Sequence, residues 1–157
     1  MVWGKRIHTY FAYGSNMDPV QMAQRCPGGV SLGAARLADW RLTFTRDSPK
    51  RGGGVPHIER APGDEVWGVL WDLTEAHIDT LDVYEGIGIG AYVRGAITVT
   101  HEGRAVECLV YIAVPTGYKA PSKRFLGSVV RGAQMHNLPP SYVERLRAFG
   151  DHQPGSR

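Results

Sequence analysis

Two stretches of alternating apolar and polar residues, 92–100 and 105–113, restrict the fold of this chain more than any other feature. They read YVRGAITVT and AVECLVYIA, and the segment His101-Glu102-Gly103 lies between them. Alternation with a period of two is typical of β-strands that bury one face, and a short connection containing glycine joins such strands as a hairpin. The sequence therefore predicts a β-hairpin here, and with it a sheet that is largely antiparallel.

Further strands are expected in the first half of the chain. Four stretches have a strand-like composition: IHTYFAY at 7–13, VSLGAARLA at 30–38, WRLTFTR at 40–46 and GVPHIERA at 54–61. The last of these should end in a turn at Pro62-Gly63-Asp64. The following stretch, EVWGVLW at 65–71, is apolar on both faces apart from its glycine, which is typical of a strand covered on both sides.

Helix signals alternate with these strands. The capping and spacing signals predict a helix over 18–25, a second from an N-cap at Thr74 to about Tyr84, a third capped by Ser122, and a last one opened by a capping box of Ser141 and Glu144. The sum is an α+β fold with a small mixed, mostly antiparallel curved sheet or β-barrel and flanking helices. We expect one domain over 1–150 and a frayed tail over 151–157.

Composition excludes several classes of protein. Hydrophobic residues make up 43% of the chain and charged residues 21%, as in soluble globular proteins. No apolar run approaches the roughly 20 residues of a membrane span, and the first ten residues lack the apolar core of a signal peptide, so a cytoplasmic location is expected. Cys26 and Cys108 are predicted to be reduced, buried thiols, and the scattered histidines predict no metal site.

The excess of positive charge is small and dispersed. The formal net charge is +3, and fourteen of the eighteen basic residues are arginines spread along the chain. The densest basic segment, RDSPKR at 46–51, is short, and we interpret it as a solvated loop. A nucleic-acid surface would concentrate such charge beside aromatic platforms, so no nucleic-acid partner is expected. A small anionic ligand is compatible with this charge.

The corner Gly14-Ser15-Asn16 follows an aromatic strand directly and precedes the first predicted helix. Successive backbone amides at such a corner can form an anion-binding concavity. A tight turn whose Asn16 side chain caps the helix explains the same residues equally well. The residue pattern alone leaves both interpretations open.

Glu85 stands between a predicted helix and the glycine-rich run GIGIG at 86–90. The negative end of the helix dipole, the nearby Asp79 and Asp82, and uncharged neighbours on its other side should raise its pKa towards the range of general acid–base catalysis. The alternative is an exposed glutamate at the entry of a flexible hairpin. Both interpretations stay open at this level.

Four stretches together resemble the γ-glutamylcyclotransferase family. They are YFAYGSN at 10–16, PGDEVWGVLW at 62–71, LDVYEGIGIGAYV at 81–93 and APSKRFLGSVVRGAQMHNLPPSYVERL at 120–146, and they cover nearly the whole chain in the family's order. The resemblance implies the γ-glutamylcyclotransferase-like (AIG2-like) fold and neither a metal nor an organic cofactor. It also implies the reaction, in which the α-amino group of a γ-glutamyl unit attacks its own γ-carbonyl, giving 5-oxoproline and a released amine.

The resemblance also implies roles for individual residues. Glu85 matches the family's general acid/base, and Tyr92 matches a tyrosine that lines the pocket. The substrate-binding set comprises Tyr10, Phe11, Ala12, Tyr13, Gly14, Ser15, Asn16, Tyr92 and Phe125, with Asn16 as a brace or a ligand contact. Phe125 is a departure, because vertebrate-type members carry a tyrosine near this position, and the substrate preference is therefore in question.

The expected function is an active cyclotransferase that acts on a small-molecule γ-glutamyl substrate. The leaving group can be an amino acid, an amine, an isopeptide or a biosynthetic intermediate, and a homodimer is one alternative for the assembly. A catalytically silent module that binds a γ-glutamyl compound or another anionic metabolite is the alternative function. The presence of Glu85 argues against this silent module. Neither a membrane nor a nucleic acid is expected as a partner.

Overall fold

A computed structural model describes residues 7–150 of the chain, and the tail predicted at 151–157 lies outside the described residues. Within that range the strands close into a barrel in the order β1-β3-β2-β4-β5. Their bounds are β1 (Ile7–Ala12), β2 (Val30–Ser48), β3 (Gly53–Thr74), β4 (Tyr92–His101) and β5 (Arg104–Ala113). Helices flank the barrel, so the predicted α+β class and its curved sheet are confirmed.

The predicted hairpin is present as β4 and β5, which pair antiparallel from Tyr92 opposite Ala113 to His101 opposite Arg104. The other neighbouring strands are antiparallel as well, except that β1 meets β5 in parallel where Tyr10 lies opposite Leu109. This parallel contact closes the barrel. It also places the end of β1 beside the end of β5.

The first half of the sheet differs from the prediction of four separate strands. β2 and β3 are two long strands that pair along their lengths with three register shifts. The predicted breaks near Asp39 and at Pro62-Gly63-Asp64 lie opposite each other, and the backbone amide of Gly63 donates to Asp39 Oδ1 at 3.0 Å. Because the two irregularities lie opposite each other, both strands continue through them. The prediction that a strand ends in a turn at 62–64 was therefore wrong.

The helices are α1 (Pro19–Arg25), α2 (Glu75–Tyr84), α3 (Lys123–Met135) and α4 (Pro140–Ala148), and 3-10 turns span Ser15–Met17, Pro49–Arg51 and Ile87–Ile89. Thr74 and Ser122 cap α2 and α3 as predicted, by accepting from the amides of His77 and Phe125. The capping box predicted for the last helix was wrong, because α4 begins at Pro140 without a side-chain cap. A proline suits the first helical position, since its φ is already helical and it has no amide to satisfy.

One apolar core fills the barrel and the space between it and the helices. Phe11, Phe44, Leu70 and Val110 contribute to it with 0% exposure. Both cysteines are free and buried, as predicted. Within residues 7–150, none of the helices combines the length and the apolar character needed to cross a bilayer.

Candidate active site

A pocket of about 640 Å³ opens where the end of β1, the end of α1, the segment before β3 and the connection from α2 to β4 meet. Most of the predicted site residues line it: Tyr10, Tyr13, Gly14, Ser15, Asn16, Glu85, Tyr92 and Phe125. Residues that are distant in the sequence therefore share one cavity. The corner after β1 and the glutamate after α2 form two parts of its wall.

Phe11 and Ala12 are outside the pocket lining, contrary to their place in the predicted substrate-binding set. Both are buried, with 0% and 1% exposure. Successive side chains of a strand point to opposite faces, so Phe11 lies on the face of β1 opposite to Tyr10. Its ring lies against Gly68, where a Cβ would come within 2.7 Å of the ring. Phe11 is therefore a core residue.

The corner Gly14-Ser15-Asn16 opens the 3-10 turn Ser15–Met17. Ser15 and Asn16 are buried, yet within residues 7–150 the backbone amides of these three corner residues donate no hydrogen bond. A ligand with carboxylate or carbonyl oxygens would supply acceptors to this corner.

Asn16 does not cap α1, which was the alternative explanation of the corner. Asp18 is the cap, and its carboxylate accepts from the amide of Val20 at 2.9 Å. The Asn16 side chain instead crosses the wall of the pocket. Its Nδ2 donates to the Tyr10 hydroxyl at 3.0 Å and to Glu85 Oε1 at 3.4 Å. Asn16 therefore joins the corner to the glutamate.

Glu85 is the C-cap of α2, and its amide donates to the Leu81 carbonyl at 2.8 Å. Burial raises the pKa of its carboxyl group to about 7, against the opposing effects of Arg25, Arg51 and the Asn16 hydrogen bond. The predicted direction is confirmed, and the partial burial of Glu85 contradicts the alternative of a fully exposed glutamate. A carboxyl group with this pKa can accept and release a proton near neutral pH.

The predicted cause of that pKa was incomplete. Asp82 was expected to add negative charge near Glu85, but it forms an ion pair with Arg94 and accepts a hydrogen bond from the Tyr111 hydroxyl at 2.7 Å. Its charge is therefore compensated by Arg94 and Tyr111. Desolvation of the Glu85 carboxyl is the dominant cause, and it depends on contacts between distant segments.

Five tyrosines line the cavity: Tyr10, Tyr13, Tyr84, Tyr92 and Tyr111. Burial raises the pKa of Tyr92, and the charge of Glu85 adds to this effect, so its hydroxyl stays neutral. The Tyr10 ring packs edge-on against the Tyr111 ring at 5.6 Å, and the Tyr13 hydroxyl donates to the Tyr111 carbonyl oxygen. These aromatic rings give the pocket an apolar wall, and the hydroxyl groups of Tyr10 and Tyr92 stay neutral.

The basic segment 46–51 was predicted to be a solvated loop. Asp47, Pro49 and Lys50 are exposed, but residues 46–48 end β2, Pro49–Arg51 form a 3-10 turn, and all six residues line the pocket, so the segment is not an irregular loop. Gly53 and Gly54 hold the segment close to residues 119–120. The Gly54 amide donates to the Ala120 carbonyl at 2.9 Å, and a Cβ at Gly54 would overlap the carbonyl oxygen of Lys119. The run of three glycines after the basic residues was the sequence signal for this close approach.

The arginines of the pocket differ from most others in the described chain. Ion pairs with a carboxylate engage Arg36, Arg41, Arg94, Arg131, Arg145 and Arg147. The three that line the pocket, Arg25, Arg46 and Arg51, have no carboxylate within 4.0 Å among residues 7–150. Lys50 adds a fourth positive charge at the cavity. The pocket is therefore suited to an anionic ligand.

Phe125 lies at the start of α3 with 6% of its surface exposed. The guanidinium group of Arg51 stands 5.0 Å from the centre of its ring, a cation–π distance. Phe125 thus supports Arg51 at the edge of the pocket. No group of three histidine, cysteine, aspartate or glutamate side chains within residues 7–150 could hold a metal ion.

The fold and the site define a class of protein: a small barrel whose pocket combines a carboxyl group of raised pKa, the corner residues after β1, and arginines without a carboxylate partner among residues 7–150. Comparisons with known proteins identify that class. A model of the AIG2-like family matches residues 65–146. The γ-glutamylcyclotransferases of mouse (Mus musculus) and human (Homo sapiens) are 38% and 35% identical over 145 residues, which cover 89% of this chain and 77% of each relative.

Solved structures give the same result. A structure described as γ-glutamyl cyclotransferase superposes with a TM-score of 0.87 at 34% identity, over 91% of this chain and 88% of that one. The chain belongs to the γ-glutamylcyclotransferase family, as its motifs predicted.

Proposed function

We propose that this protein is a γ-glutamyl cyclotransferase that converts a γ-glutamyl amino acid or amine into 5-oxoproline and the free amine. The observation that carries this proposal is the shared cavity of Glu85 and the corner amides at Gly14, Ser15 and Asn16. The named activity of the mouse, human and cattle relatives supports it. Glu85 is the general acid/base in this proposal.

The reaction is an intramolecular aminolysis. The α-amino nitrogen of the substrate attacks the γ-carbonyl carbon, and a new C–N bond closes a five-membered ring. Glu85 takes a proton from the attacking nitrogen and delivers a proton to the leaving nitrogen as the original C–N bond breaks. Water is not consumed, and no covalent intermediate with the protein forms. Because both reacting groups belong to one molecule, binding in a bent conformation supplies much of the acceleration.

The raised pKa of Glu85 suits both proton transfers. Near pH 7 the ionised and protonated forms of its carboxyl group are both populated, since burial raises the pKa to about 7. An ordinary glutamate would be a weaker base and would rarely be protonated at this pH. The burial that raises the pKa thus also contributes to the chemistry.

The corner and the arginines serve binding and charge stabilisation. Corner amides without an acceptor can hold the carboxylate of the γ-glutamyl unit or the oxyanion that develops on the γ-carbonyl. Arg46 and Arg51 at the edge of the cavity favour an anionic substrate. Tyr92 contributes a neutral hydroxyl next to Glu85. Phe125 and Tyr10 contribute aromatic surface to the pocket.

A Glu85→Gln substitution tests the proposal, because it keeps the shape of the side chain and removes proton transfer. We expect the wild-type protein to form 5-oxoproline from at least one member of a panel of γ-glutamyl amino acids and γ-glutamylamines. The variant should lose about 10²- to 10⁴-fold in kcat. Glu107→Gln, at an exposed position of β5, is the matched control and should keep full activity.

Two outcomes would contradict the proposal in different ways. An undiminished Glu85→Gln enzyme would remove Glu85 from catalysis and leave the activity in place. No product from any substrate, together with saturable binding of a γ-glutamyl compound, would indicate a silent binding module.

A further inference from the structure

The side-chain amide of Asn16 makes four hydrogen bonds in the wall of the pocket. Its Oδ1 accepts from Gln21 Nε2 at 2.8 Å and from Arg25 Nη1 at 3.0 Å. Its Nδ2 donates to the Tyr10 hydroxyl and to Glu85 Oε1. The Asn16 amide therefore connects the end of α1 to Glu85. Its orientation determines whether Nδ2 or Oδ1 faces the Glu85 carboxyl group.

Arg25 is the partner that fixes that orientation in both protonation states of Glu85. A guanidinium group has donors and no acceptor, so Arg25 can face only the oxygen of the Asn16 amide. The Gln21 amide can present either its nitrogen or its oxygen, and the Tyr10 hydroxyl can donate or accept. The Glu85 carboxyl group accepts when ionised and donates when protonated. Without Arg25, a flipped Asn16 would satisfy all the remaining groups once Glu85 is protonated.

Arg25 is itself held in place by contacts on two sides. It is the last residue of α1, and its guanidinium group lies 4.2 Å from the centre of the Tyr84 ring. Tyr84 immediately precedes Glu85, and 56% of its surface is exposed. The contact with the Tyr84 ring and the hydrogen bond to Asn16 therefore place a charged donor beside Glu85.

We propose that Arg25 is a positioning residue that acts through Asn16: it fixes the side-chain amide so that Nδ2 faces Glu85 and holds the ionised carboxylate ready to accept a proton. The inference rests on the proposed function of Glu85. A neutral donor that faces a carboxylate favours its charged form, whereas a carbonyl oxygen in the same place favours the protonated acid.

Other groups also act on Glu85, from each element around it. Arg51 approaches from the basic segment, Tyr10 from β1 and Tyr92 from β4, and the two tyrosines are neutral. Arg25 and Arg51 are the positive charges that oppose the effect of burial on the pKa of Glu85. Arg25 differs from Arg51 because it also determines a hydrogen-bond orientation.

Arg25→Gln is the direct test, because glutamine can present either a donor or an acceptor to Asn16. We expect the acid limb of kcat/KM against pH to move upward by about 0.5 to 1 unit. At pH 7, kcat/KM should fall about 2- to 5-fold, with little change in Tm. Arg104→Gln, at an exposed position at the tip of the β4–β5 hairpin, is the control and should reproduce the wild-type profile.

A double-mutant cycle separates the amide orientation from a direct effect of charge. In an Asn16→Ala background, Arg25→Gln should move the acid limb by less than half as much as in the wild-type background. Tyr84→Ala should move the limb in the same direction, whereas Tyr84→Phe keeps the ring and should not. Equal shifts in both Asn16 backgrounds, or no shift in Arg25→Gln, would overturn the inference.

Titration of the Glu85 carboxyl carbon by NMR, assigned by comparison with Glu85→Gln, tests the inference without the reaction. An upward shift of this pKa in Arg25→Gln that is at least halved in an Asn16→Ala background supports it even if no substrate is turned over. An unchanged pKa overturns it even if the protein proves to be an active cyclotransferase.

Discussion

Gly132 of α3 lies directly against the backbone of Met17, so closely that a Cβ at this glycine would stand 2.5 Å from the Met17 carbonyl carbon and 2.6 Å from the Asp18 amide nitrogen. Met17 ends the 3-10 turn that begins at Ser15, and the corner of the pocket is part of the same segment. Helix α3 therefore supports the corner through a contact between main chains. A side chain at Gly132 has no flexible neighbour to displace.

Gly132→Ala is expected to destabilise the protein and to impair the site together. The added methyl group must push α3 away from the corner, at a cost of about 1 to 3 kcal/mol in the free energy of unfolding. Displacement of Gly14, Ser15 and Asn16 should lower kcat/KM as well. Urea unfolding and 5-oxoproline kinetics measure the two effects.

Gly127→Ala is the matched control in the same helix. A Cβ there meets nothing within 4 Å, and Gly127 is exposed. Alanine in a helix interior is favoured over glycine by up to about 1 kcal/mol, so this variant should be slightly more stable and fully active. Equal effects of the two substitutions would show that the contact of Gly132 with Met17 is not restrictive.

A second expectation concerns Asp18, which has 2% exposure and caps α1. Burial disfavours its charge, but hydrogen bonds from Arg131, the Val20 amide and Ser128 outweigh burial and hold the pKa of Asp18 below its ordinary value. Because the pKa is lower in the folded state, the charge stabilises the fold above the unfolded pKa of about 3.9. That contribution is lost as the pH falls through the folded pKa.

Asp18→Asn should therefore cost about 1 to 3 kcal/mol at pH 7, and progressively less below about pH 4. Asparagine still caps a helix, so the difference reports the charge. Asp79→Asn, at an exposed position of α2, should cost less than about 0.5 kcal/mol at pH 7. A penalty for Asp18→Asn that is independent of pH would contradict this account.

Glu85 should show the opposite dependence of stability on pH. Its pKa is raised to about 7 in the folded protein, mainly by burial, so the folded state binds the proton more tightly than the unfolded chain. The stability of the wild-type protein therefore decreases as the pH rises from about 4.3 to about 7. Glu85→Gln should be more stable than the wild type by about 3 to 4 kcal/mol at pH 8, with no difference at pH 4. Denaturant unfolding at the two pH values measures this gain, and a less stable variant at pH 8 would contradict it.

Glu85 and the corner residues of this site were easier to predict from the sequence than the full set of residues that line it. Glu85 and the corner at Gly14 were recognisable because glycines and a strand-to-helix change mark them locally. The cause of the pKa of Glu85 was not recognisable, because burial arises from segments that are distant along the chain. Phe11 was assigned to the site by its place in a motif, although the alternation of β1 turns it into the core.

The basic segment 46–51 shows a second limit of prediction from the sequence. Its charge and length predict a solvated loop, and nothing in residues 46–51 reports where the loop will pack. Its place at the pocket follows from Gly53 and Gly54, which approach the main chain at Ala120. In the same way, β2 and β3 were divided at Asp39 and Gly63 because each irregularity was considered alone. The two irregularities lie opposite each other only because the strands pair, so neither strand alone predicts it.

The dependence of activity on pH follows from the pKa of Glu85. Since the carboxylate is the base that accepts the first proton, kcat/KM should rise with pH up to about 7 and fall about tenfold per unit well below it. The acid limb should keep its position with substrates of different leaving groups, because it reports the free protein. A pH profile that is flat from 5 to 8 would contradict the role of Glu85 as base.

Arg51 is expected to contribute to binding more than to the chemical step. Its guanidinium group lies over the Phe125 ring, and no carboxylate among residues 7–150 lies within 4.0 Å of it. Burial lowers the pKa of Arg51, but a guanidinium group stays charged near neutral pH. Arg51→Gln should therefore raise KM about 5- to 20-fold for an anionic substrate, with less than about a twofold change in kcat.

The same substitution should weaken the dependence of KM on salt, because one of the charges that attract the substrate is gone. Arg124→Gln, at an exposed position of α3 outside this pocket, is the control and should leave KM unchanged. A fall in kcat with an unchanged KM would show that Arg51 acts on the transition state, because an interaction made only there lowers kcat and kcat/KM equally.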